Sequence, residues 1–279
     1  MLFILVMSRF NVYGLFLISF LSLTPVFASE VDIKVYIPTD LKIDENALQT
    51  EIKNAQTIFA AVGIRLNFRL PSKVKIPALD LSMTGHGPQN ISNSKEKRFY
   101  KKLEQEKHIL SDQTLRVFSS VVRDEKNADR IIHVILLNEL NSIFYVGQKK
   151  KVFKTGAQSF PPYLMQDRIP RKLRGVISLQ EFNGRNLAHE LGHKLINVSH
   201  EWRHIGPQTE IQAEGGLMLY GQGQEIPRGQ EGRWHFERLH LSPFVYRLEK
   251  GKKIWNSDFK NGGIYNDAIY KNFVTDNSK

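Results

Sequence analysis

The feature that most constrains this chain is residues 186–200, which combine metal-ligating side chains with a spacing that a helix can use. His189 and His193 stand four residues apart in the sequence His-Glu-Leu-Gly-His. Four residues make about one α-helical turn, so both imidazoles lie on one face and can bind one ion. Glu190 stands beside them, and its expected role is to deprotonate a zinc-bound water. The stretch therefore predicts a hydrolytic zinc site.

The zinc site requires this stretch to be helical, and leucines at four-residue steps supply its buried stripe: Leu187, Leu191 and Leu195. Asn183 is the candidate N-cap, because its side-chain oxygen can accept from the first backbone N–H groups. Asn197 is the predicted end of the helix, because Asn tolerates the left-handed conformation that terminates helices. His200 follows three residues later and is the candidate third ligand.

The first 28 residues differ from the rest, since they hold one charge, Arg9, and an apolar run from Val12 to Leu23. This composition predicts a signal peptide at 1–28, cleaved after Ala28, with a retained membrane anchor as the alternative. The chain has no cysteine, which excludes disulfides and thiolate zinc ligands. We expect an exported bacterial protein, periplasmic or extracellular, that is not integral to the membrane once the signal peptide is removed.

The formal net charge of +11 favours acidic partners. For an exported chain these are anionic envelope polymers, lipid head groups or acidic protein substrates, and we expect no nucleic-acid partner. A basic surface that is merely solvated is an equal alternative.

Alternating and apolar runs predict strands of one sheet at 31–37, 64–70, 130–137 and 175–179. A helical period over 45–62 predicts an amphipathic helix between the first two strands, which makes an α/β unit. The strand at 130–137 is apolar throughout and is expected to be buried on both faces. His133 within it is predicted to be a core histidine with satisfied hydrogen bonds.

Other segments are less regular. Residues 71–93 are rich in proline and glycine and predict a long loop that contains His86. Residues 94–122 predict one or two highly charged helices. Residues 141–175 predict short strands at 143–146 and 152–154, split by a lysine run, and in a protease this region could supply the edge that pairs with an extended substrate.

The order of these elements, with the 189–193 motif after the last strand and His200 beyond it, resembles that of the metzincin metallopeptidases. Members carry a methionine in a tight turn beneath the zinc site, and Met218 lies in the glycine-rich stretch 214–221. Several subfamilies have a tyrosine two residues after that methionine, able to approach the metal or the oxyanion. Tyr220 matches this position.

The resemblance implies an α/β fold of the α+β zincin type. Its N-terminal half, 29–197, would hold a mixed, mainly parallel twisted sheet with helices, and its small irregular or helical C-terminal half, 198–279, would lie below the zinc cleft. The two halves form one catalytic domain at 29–279, because neither a repeat nor a linker divides the chain. The implied activity is a zinc-dependent endopeptidase that acts on protein or peptide substrates with Zn²⁺ as cofactor.

The chain departs from the family pattern at the helix end. That pattern would place a glycine at Ile196 and the third histidine at Ser199, whereas Asn197 and His200 each come one residue late. Their three-residue step is kept, so the simplest account is one extra residue before an equivalent turn. The resemblance therefore extends to the superfamily and not to a subfamily.

Two alternatives stay open. A thermolysin-like zinc peptidase would take its third ligand from a later acidic residue, and Glu210 and Glu214 are placed for this role. We favour His200, because Glu214 adjoins two glycines of a turn and Met218 would otherwise have no role. The other alternative is a non-catalytic zinc-containing protein that binds an anionic envelope surface. Glu190 argues against it, because a structural zinc site needs no acid beside its ligands.

Overall fold

A computed structural model describes residues 29–77, 82–86, 112–146, 149–159, 169–198, 216–218, 223–228 and 235–256. The predicted signal peptide, His200, Tyr220 and the alternative ligands Glu210 and Glu214 lie outside these residues, as does the predicted helical region from 94 to 111. Within the described part of the chain, every helix is too short or too polar to cross a membrane.

The N-terminal elements are β1 (Ser29–Pro38), α1 (Glu45–Ala60), β2 (Ile64–Phe68), β3 (Ser72–Val74), β4 (Ser82–His86) and α2 (Asp112–Val121). The middle of the chain forms β5 (Ile132–Leu136), β6 (Glu139–Val146), β7 (Lys149–Lys154), β8 (Ala157–Ser159) and β9 (Val176–Leu179). Helix α3 (Asn186–Gly192) follows and continues into a π-helical turn (His193–Asn197). The last elements are α4 (His235–Leu241), β10 (Tyr246–Glu249) and β11 (Lys252–Trp255).

The main sheet has eight strands in the order β11-β10-β1-β5-β9-β8, with β2 and β3 paired along β1. Strands β2, β3 and β5 run parallel to β1, and β9 runs parallel to β5. Strands β8 and β10 are antiparallel to β9 and β1, and β11 is antiparallel to β10. This confirms the predicted α/β class with a mixed, mainly parallel sheet. Strands from the C-terminal region, β10 and β11, extend this same sheet.

The core forms where the apolar faces of the helices pack against the sheet. Helix α1 buries the residues that share its apolar face: Leu48, Ile52, Ala55, Ile58 and Phe59. Its N-terminus is capped by Asp44, whose carboxylate accepts from the Ala47 backbone N–H at 3.0 Å. All five residues of β5 are buried between β1 and β9, as an apolar central strand requires.

His133 lies in this core strand, as predicted, and is fully buried. Its Nε2 is 3.0 Å from the Ala128 carbonyl oxygen. Because a carbonyl only accepts, Nε2 carries the proton and donates it. Nδ1 then accepts from the Tyr36 hydroxyl at 3.0 Å. Both ring nitrogens are used within the fold.

Two sequence predictions are corrected. Residues 71–93 are not one loop, since β3 pairs with the end of β1 and β4 pairs in parallel with β6. His86 is therefore the last residue of β4 and not a loop residue. The lysine run at 149–151 does not split two strands but opens β7, which forms a hairpin with β6. Edge strands tolerate lysine, so the run does not interrupt β7, whereas β4 depends on a partner far along the chain that local propensity does not report.

Candidate metal centre

The start of helix α3 is fixed by side chains outside it. The side-chain oxygen of Asn183 accepts from the backbone N–H groups of Arg185 and Asn186, both at 2.9 Å. The N-cap of the helix is Arg185, so the predicted cap, Asn183, lies two residues before it and binds the N–H groups of the N-cap and of the first helical residue. A second acceptor comes from α1, where the buried Glu51 carboxylate accepts from the backbone N–H groups of Gly184 at 2.5 Å and Leu187 at 3.0 Å. A carboxylate at a helix N-terminus also complements the helix dipole.

The helix then packs as its leucine period predicts. Leu187, Leu191 and Leu195 are all fully buried and belong to the core cluster that also holds α1 and the sheet. The Asn54 side-chain amide of α1 donates to the Gly184 carbonyl at 2.8 Å, which ties the two helices together. The helix carrying the candidate ligands is thus held along its length and at its start.

The helix ends in a π-helical turn over His193–Asn197. Asn197 has a φ of 58°, the left-handed conformation predicted for it, and Val198 continues as extended chain. A π turn closes its hydrogen bonds over one residue more than an α turn and is frequent at functional sites.

His189 and His193 project from this helix with their rings 4.6 Å apart and their planes at 81°. The Nδ1 of His189 is 2.6 Å from the Leu217 carbonyl oxygen, and the Nδ1 of His193 is 2.8 Å from that of Val198. Since carbonyls only accept, each Nδ1 carries the proton and each Nε2 keeps its lone pair. This orientation by a backbone carbonyl is the usual arrangement of a metal-binding histidine.

Glu190 completes the cluster, because one ligand atom from each of His189, Glu190 and His193 lies within 4.8 Å of the other two. All three side chains are buried. Burial raises the pKa of Glu190 to about 8, while the Ser159 backbone N–H and the charge of Lys194 oppose that rise.

The same burial acts on the neighbouring basic groups. It lowers the pKa of His189 to about 4, with a smaller contribution in that direction from the Arg185 charge, against the hydrogen bond to Leu217. It also lowers the pKa of Lys194 well below its ordinary value, against the charge of Glu190. Desolvation therefore favours neutral imidazole at His189, the form that binds a metal ion.

Met218 is fully buried and packs against this helix. A Cβ added at Gly192 would overlap the Met218 sulfur and lie 3.2 Å from Leu217 Cδ2. The methionine side chain therefore lies against the helix at Gly192. A larger residue at position 192 would leave no room for that side chain. Met218 thus contacts the helix that carries His189 and His193, and its role at a metal site stays a prediction.

The donor set fits zinc. Two neutral imidazoles presenting Nε2, each oriented through Nδ1 by a carbonyl, are typical zinc ligands, and a carboxylate stands beside them. Within the described residues this is the one group of three such side chains close enough to hold an ion. The predicted third histidine and Tyr220 lie outside those residues.

Sequence reasoning missed two residues that shape the site. Glu51 lies on the buried face of α1, three residues after Leu48. A charged residue on the apolar face of a helix indicates a buried polar partner, so the sequence alone could have singled it out. Arg185 directly precedes the helix and is buried, with hydrogen bonds to the carbonyls of Leu217 and Gly223. Nothing in its local sequence indicates those partners.

No family model and no curated protein sequence matches this chain. Among solved structures, metalloproteinase-II from Bacteroides fragilis is similar over 76% of this chain and 54% of its own, with 14% identity and a TM-score of 0.41. Archaemetzincin from Methanopyrus kandleri is similar over 78% of this chain and 99% of its own, with 12% identity and a TM-score of 0.35. This chain thus spans about half the length of the Bacteroides protein.

Both overlaps are loose and carry no weight for individual residues. The roles assigned below depend on this chain's own side chains.

Proposed function

We propose that this protein is an exported zinc-dependent endopeptidase in which His189, His193 and His200 bind the metal and Glu190 is the general base. The observation that carries the proposal is the pair of Nδ1–H bonds to the Leu217 and Val198 carbonyls, which present two Nε2 atoms beside a buried carboxylate. A histidine that only fills a core has no need of this arrangement.

Zinc, when bound, supplies a Lewis acid that polarises a scissile carbonyl and makes water acidic near neutral pH. Glu190 takes the proton from the attacking water and passes it to the leaving amine. A base with a raised pKa is suited to give the proton back, and a bound cation beside it favours the carboxylate form that accepts it. Tyr220 is proposed to stabilise the oxyanion, and Met218 to pack beneath the ligands.

The substrate is proposed to be a protein or peptide that binds as an extended strand along β8. Among the described strands β8 pairs only with β9, so its other side is a sheet edge. Glu190 is hydrogen bonded to the Ser159 backbone N–H at the end of β8, so this edge reaches the metal centre. An extended peptide that adds a strand to such an edge gains main-chain hydrogen bonds. The edge lies in the region where the sequence predicted it.

Export rests on the predicted signal peptide at 1–28, which places the active chain in the periplasm or outside the cell. The net charge of +11 supports a second, weaker association with an anionic envelope surface. Export and association with an anionic surface are both part of the proposal. Recovery of the mature N-terminus at Ser29 from the secreted fraction would support export, and retention of residues 1–28 in a membrane fraction would contradict it.

Glu190→Gln is the direct test of the mechanism. The variant keeps the histidines and therefore binds zinc, but it has no base, so peptide hydrolysis falls by about 100- to 10,000-fold. The measurement is digestion of a peptide library alongside the metal content of the purified protein. Glu181→Gln changes an exposed carboxyl shortly before the helix and serves as the control that keeps activity. Full activity of the Glu190 variant would contradict the mechanism and favour the non-catalytic alternative.

The third ligand is tested separately by zinc titration of His200→Ala, Glu210→Ala and Glu214→Ala. Imidazole is a better zinc ligand than the serine hydroxyl at the family's nominal position, so only His200→Ala is expected to lose the metal. Loss of zinc only from one of the glutamate variants would assign the chain to the thermolysin-like class.

A further inference from the structure

Arg185 occupies an unusual place for an arginine. It is the residue directly before helix α3, and only 9% of its surface is exposed. Its guanidinium group donates to two backbone carbonyls, from Nε to Gly223 at 2.6 Å and from a terminal nitrogen to Leu217 at 2.5 Å. The rigid fork of a guanidinium group can hold two carbonyls in fixed relation, which a lysine ammonium group does not do.

The carbonyls that Arg185 binds lie in two described segments, 216–218, which carries Met218, and 223–228. The two segments are joined by a hydrogen bond of 2.6 Å from the Leu217 backbone N–H to the Glu225 carbonyl. Arg185 therefore fastens the start of the helix to both segments.

One of these carbonyls has a second donor. The Leu217 oxygen accepts from Arg185 and also from the Nδ1–H of His189 at 2.6 Å. A carbonyl oxygen has two lone pairs, so both bonds can be satisfied at once. Arg185 is linked to His189 a second time, because its own carbonyl accepts from the His189 backbone N–H at 2.9 Å.

We propose that Arg185 is a positioning residue of the metal centre: by holding the Leu217 carbonyl in place, it fixes the tautomer and the ring orientation of His189. The inference rests on the proposed function in so far as His189 binds the metal, and it does not depend on peptidase activity. Without Arg185 the Leu217 carbonyl is no longer held by the helix start, and the His189 ring loses its fixed acceptor. Loss of such an outer partner lowers metal affinity by about 10- to 100-fold.

A matched control exists elsewhere in the fold. Arg130 also donates to two backbone carbonyls, those of Pro243 at 2.9 Å and Asn256 at 3.1 Å, and so fastens the C-terminal segment to the start of β5. Arg130→Met and Arg185→Met remove the same kind of contact, but only the second removes it from a carbonyl that binds His189. Arg185→Lys keeps the charge and loses the fork.

The experiment has two readouts, neither of which is hydrolysis. The first is ¹⁵N NMR of the histidine rings in the zinc-free protein, which reports whether the His189 proton lies on Nδ1. The second is the zinc dissociation constant from competition with a chromophoric chelator. We expect a single Nδ1–H tautomer in the wild type and in Arg130→Met, and a tautomer mixture with 10- to 100-fold weaker zinc binding in Arg185→Met. Arg185→Lys should lie between them.

The inference is overturned if Arg185→Met and Arg185→Lys both keep the wild-type tautomer and zinc affinity, because Arg185 would then contribute only to stability. If Arg185→Met does not fold, Arg185→Lys with the same two readouts decides the question. Failure of the proposed function can be told apart from failure of this inference. A wild type that binds zinc but hydrolyses no peptide would contradict the peptidase function and leave the role of Arg185 unaffected. A wild type that binds no zinc still reports the His189 tautomer in the metal-free protein.

Discussion

Two of the buried histidines, His133 and His189, share a lowered pKa but differ in their hydrogen-bond partners. Burial lowers the pKa of both His133 and His189 to about 4, so both are neutral near pH 7. In β5, His133 donates from Nε2 to Ala128 and accepts at Nδ1 from Tyr36. In α3, His189 donates from Nδ1 to Leu217, and Nε2 keeps its lone pair beside His193 and Glu190.

The difference lies in the partners and not in the amount of burial. A hydroxyl can donate to imidazole, so Tyr36 occupies the second nitrogen of His133 and makes it a structural residue. A carbonyl cannot donate, so the partners of His189 and His193 place the proton on Nδ1, and Nε2 is then the nitrogen that can bind a metal ion. Burial alone does not distinguish the proposed ligand from the core residue; the position of the ring proton does.

The largest expected effect comes from exchanging each histidine for glutamine. His189→Gln removes an imidazole ligand, so the zinc dissociation constant should rise by at least about 100-fold. This exceeds the loss of affinity that follows when only a residue hydrogen-bonded to a ligand is changed. His133→Gln leaves zinc binding unchanged and costs about 1–3 kcal/mol of unfolding free energy, because a buried network is disturbed. Zinc titration and urea denaturation of both variants measure the two effects. Equal loss of zinc from both variants would remove the distinction between the two sites.

The next effect is the part of the stability loss in acid that comes from His133. The unfolded chain takes up a proton at this residue below pH 6.5, whereas the folded chain resists it until about pH 4. The unfolded state therefore binds more protons across this window, and the unfolding free energy falls as the pH drops, by up to about 3 kcal/mol.

The measurement is urea denaturation at several pH values, with zinc-free wild type compared with zinc-free His133→Gln. Other buried groups, His189 among them, contribute to the pH dependence of stability in both proteins. The difference between the two curves of unfolding free energy against pH therefore isolates the contribution of His133. Parallel curves between pH 6.5 and 4 would mean that the folded state accommodates the protonated ring.

The smallest effect concerns Met218, which is buried at the metal centre yet has only a packing role in our proposal. Met218→Leu conserves volume, so it should cost less than about 1.5 kcal/mol and leave zinc bound. Gly192→Ala changes the same contact from the helix side. It should lower the unfolding free energy more than Met218→Leu does, because a Cβ at position 192 overlaps the methionine sulfur. Thermal denaturation with and without zinc compares them. Complete loss of zinc from Met218→Leu would show a role beyond packing.

The parts of this molecule that the sequence predicted are those set by local patterns. The helical period of α1, the leucine stripe of α3, the apolar run of β5 and the left-handed Asn197 all follow from short stretches. The missed parts depend on partners far along the chain. Strand β4 exists through its pairing with β6, and Glu51 matters because it meets Gly184 and Leu187, more than 130 residues later. Arg185 likewise depends on carbonyls in two later segments.

The π-helical turn has a consequence for how such proteins diverge. Inserting one residue into a continuous α-helix rotates everything after it by about 100°. Here a π-helical turn over His193–Asn197 widens the helix at its end, while the rings of His189 and His193 still lie 4.6 Å apart on one side of it. The length of the segment after the second histidine can thus change without any movement of the first two ligands. If His200 is the third ligand, as proposed, a search pattern with a fixed step from the second to the third histidine does not detect this chain, although His189 and His193 have the spacing of one helical turn.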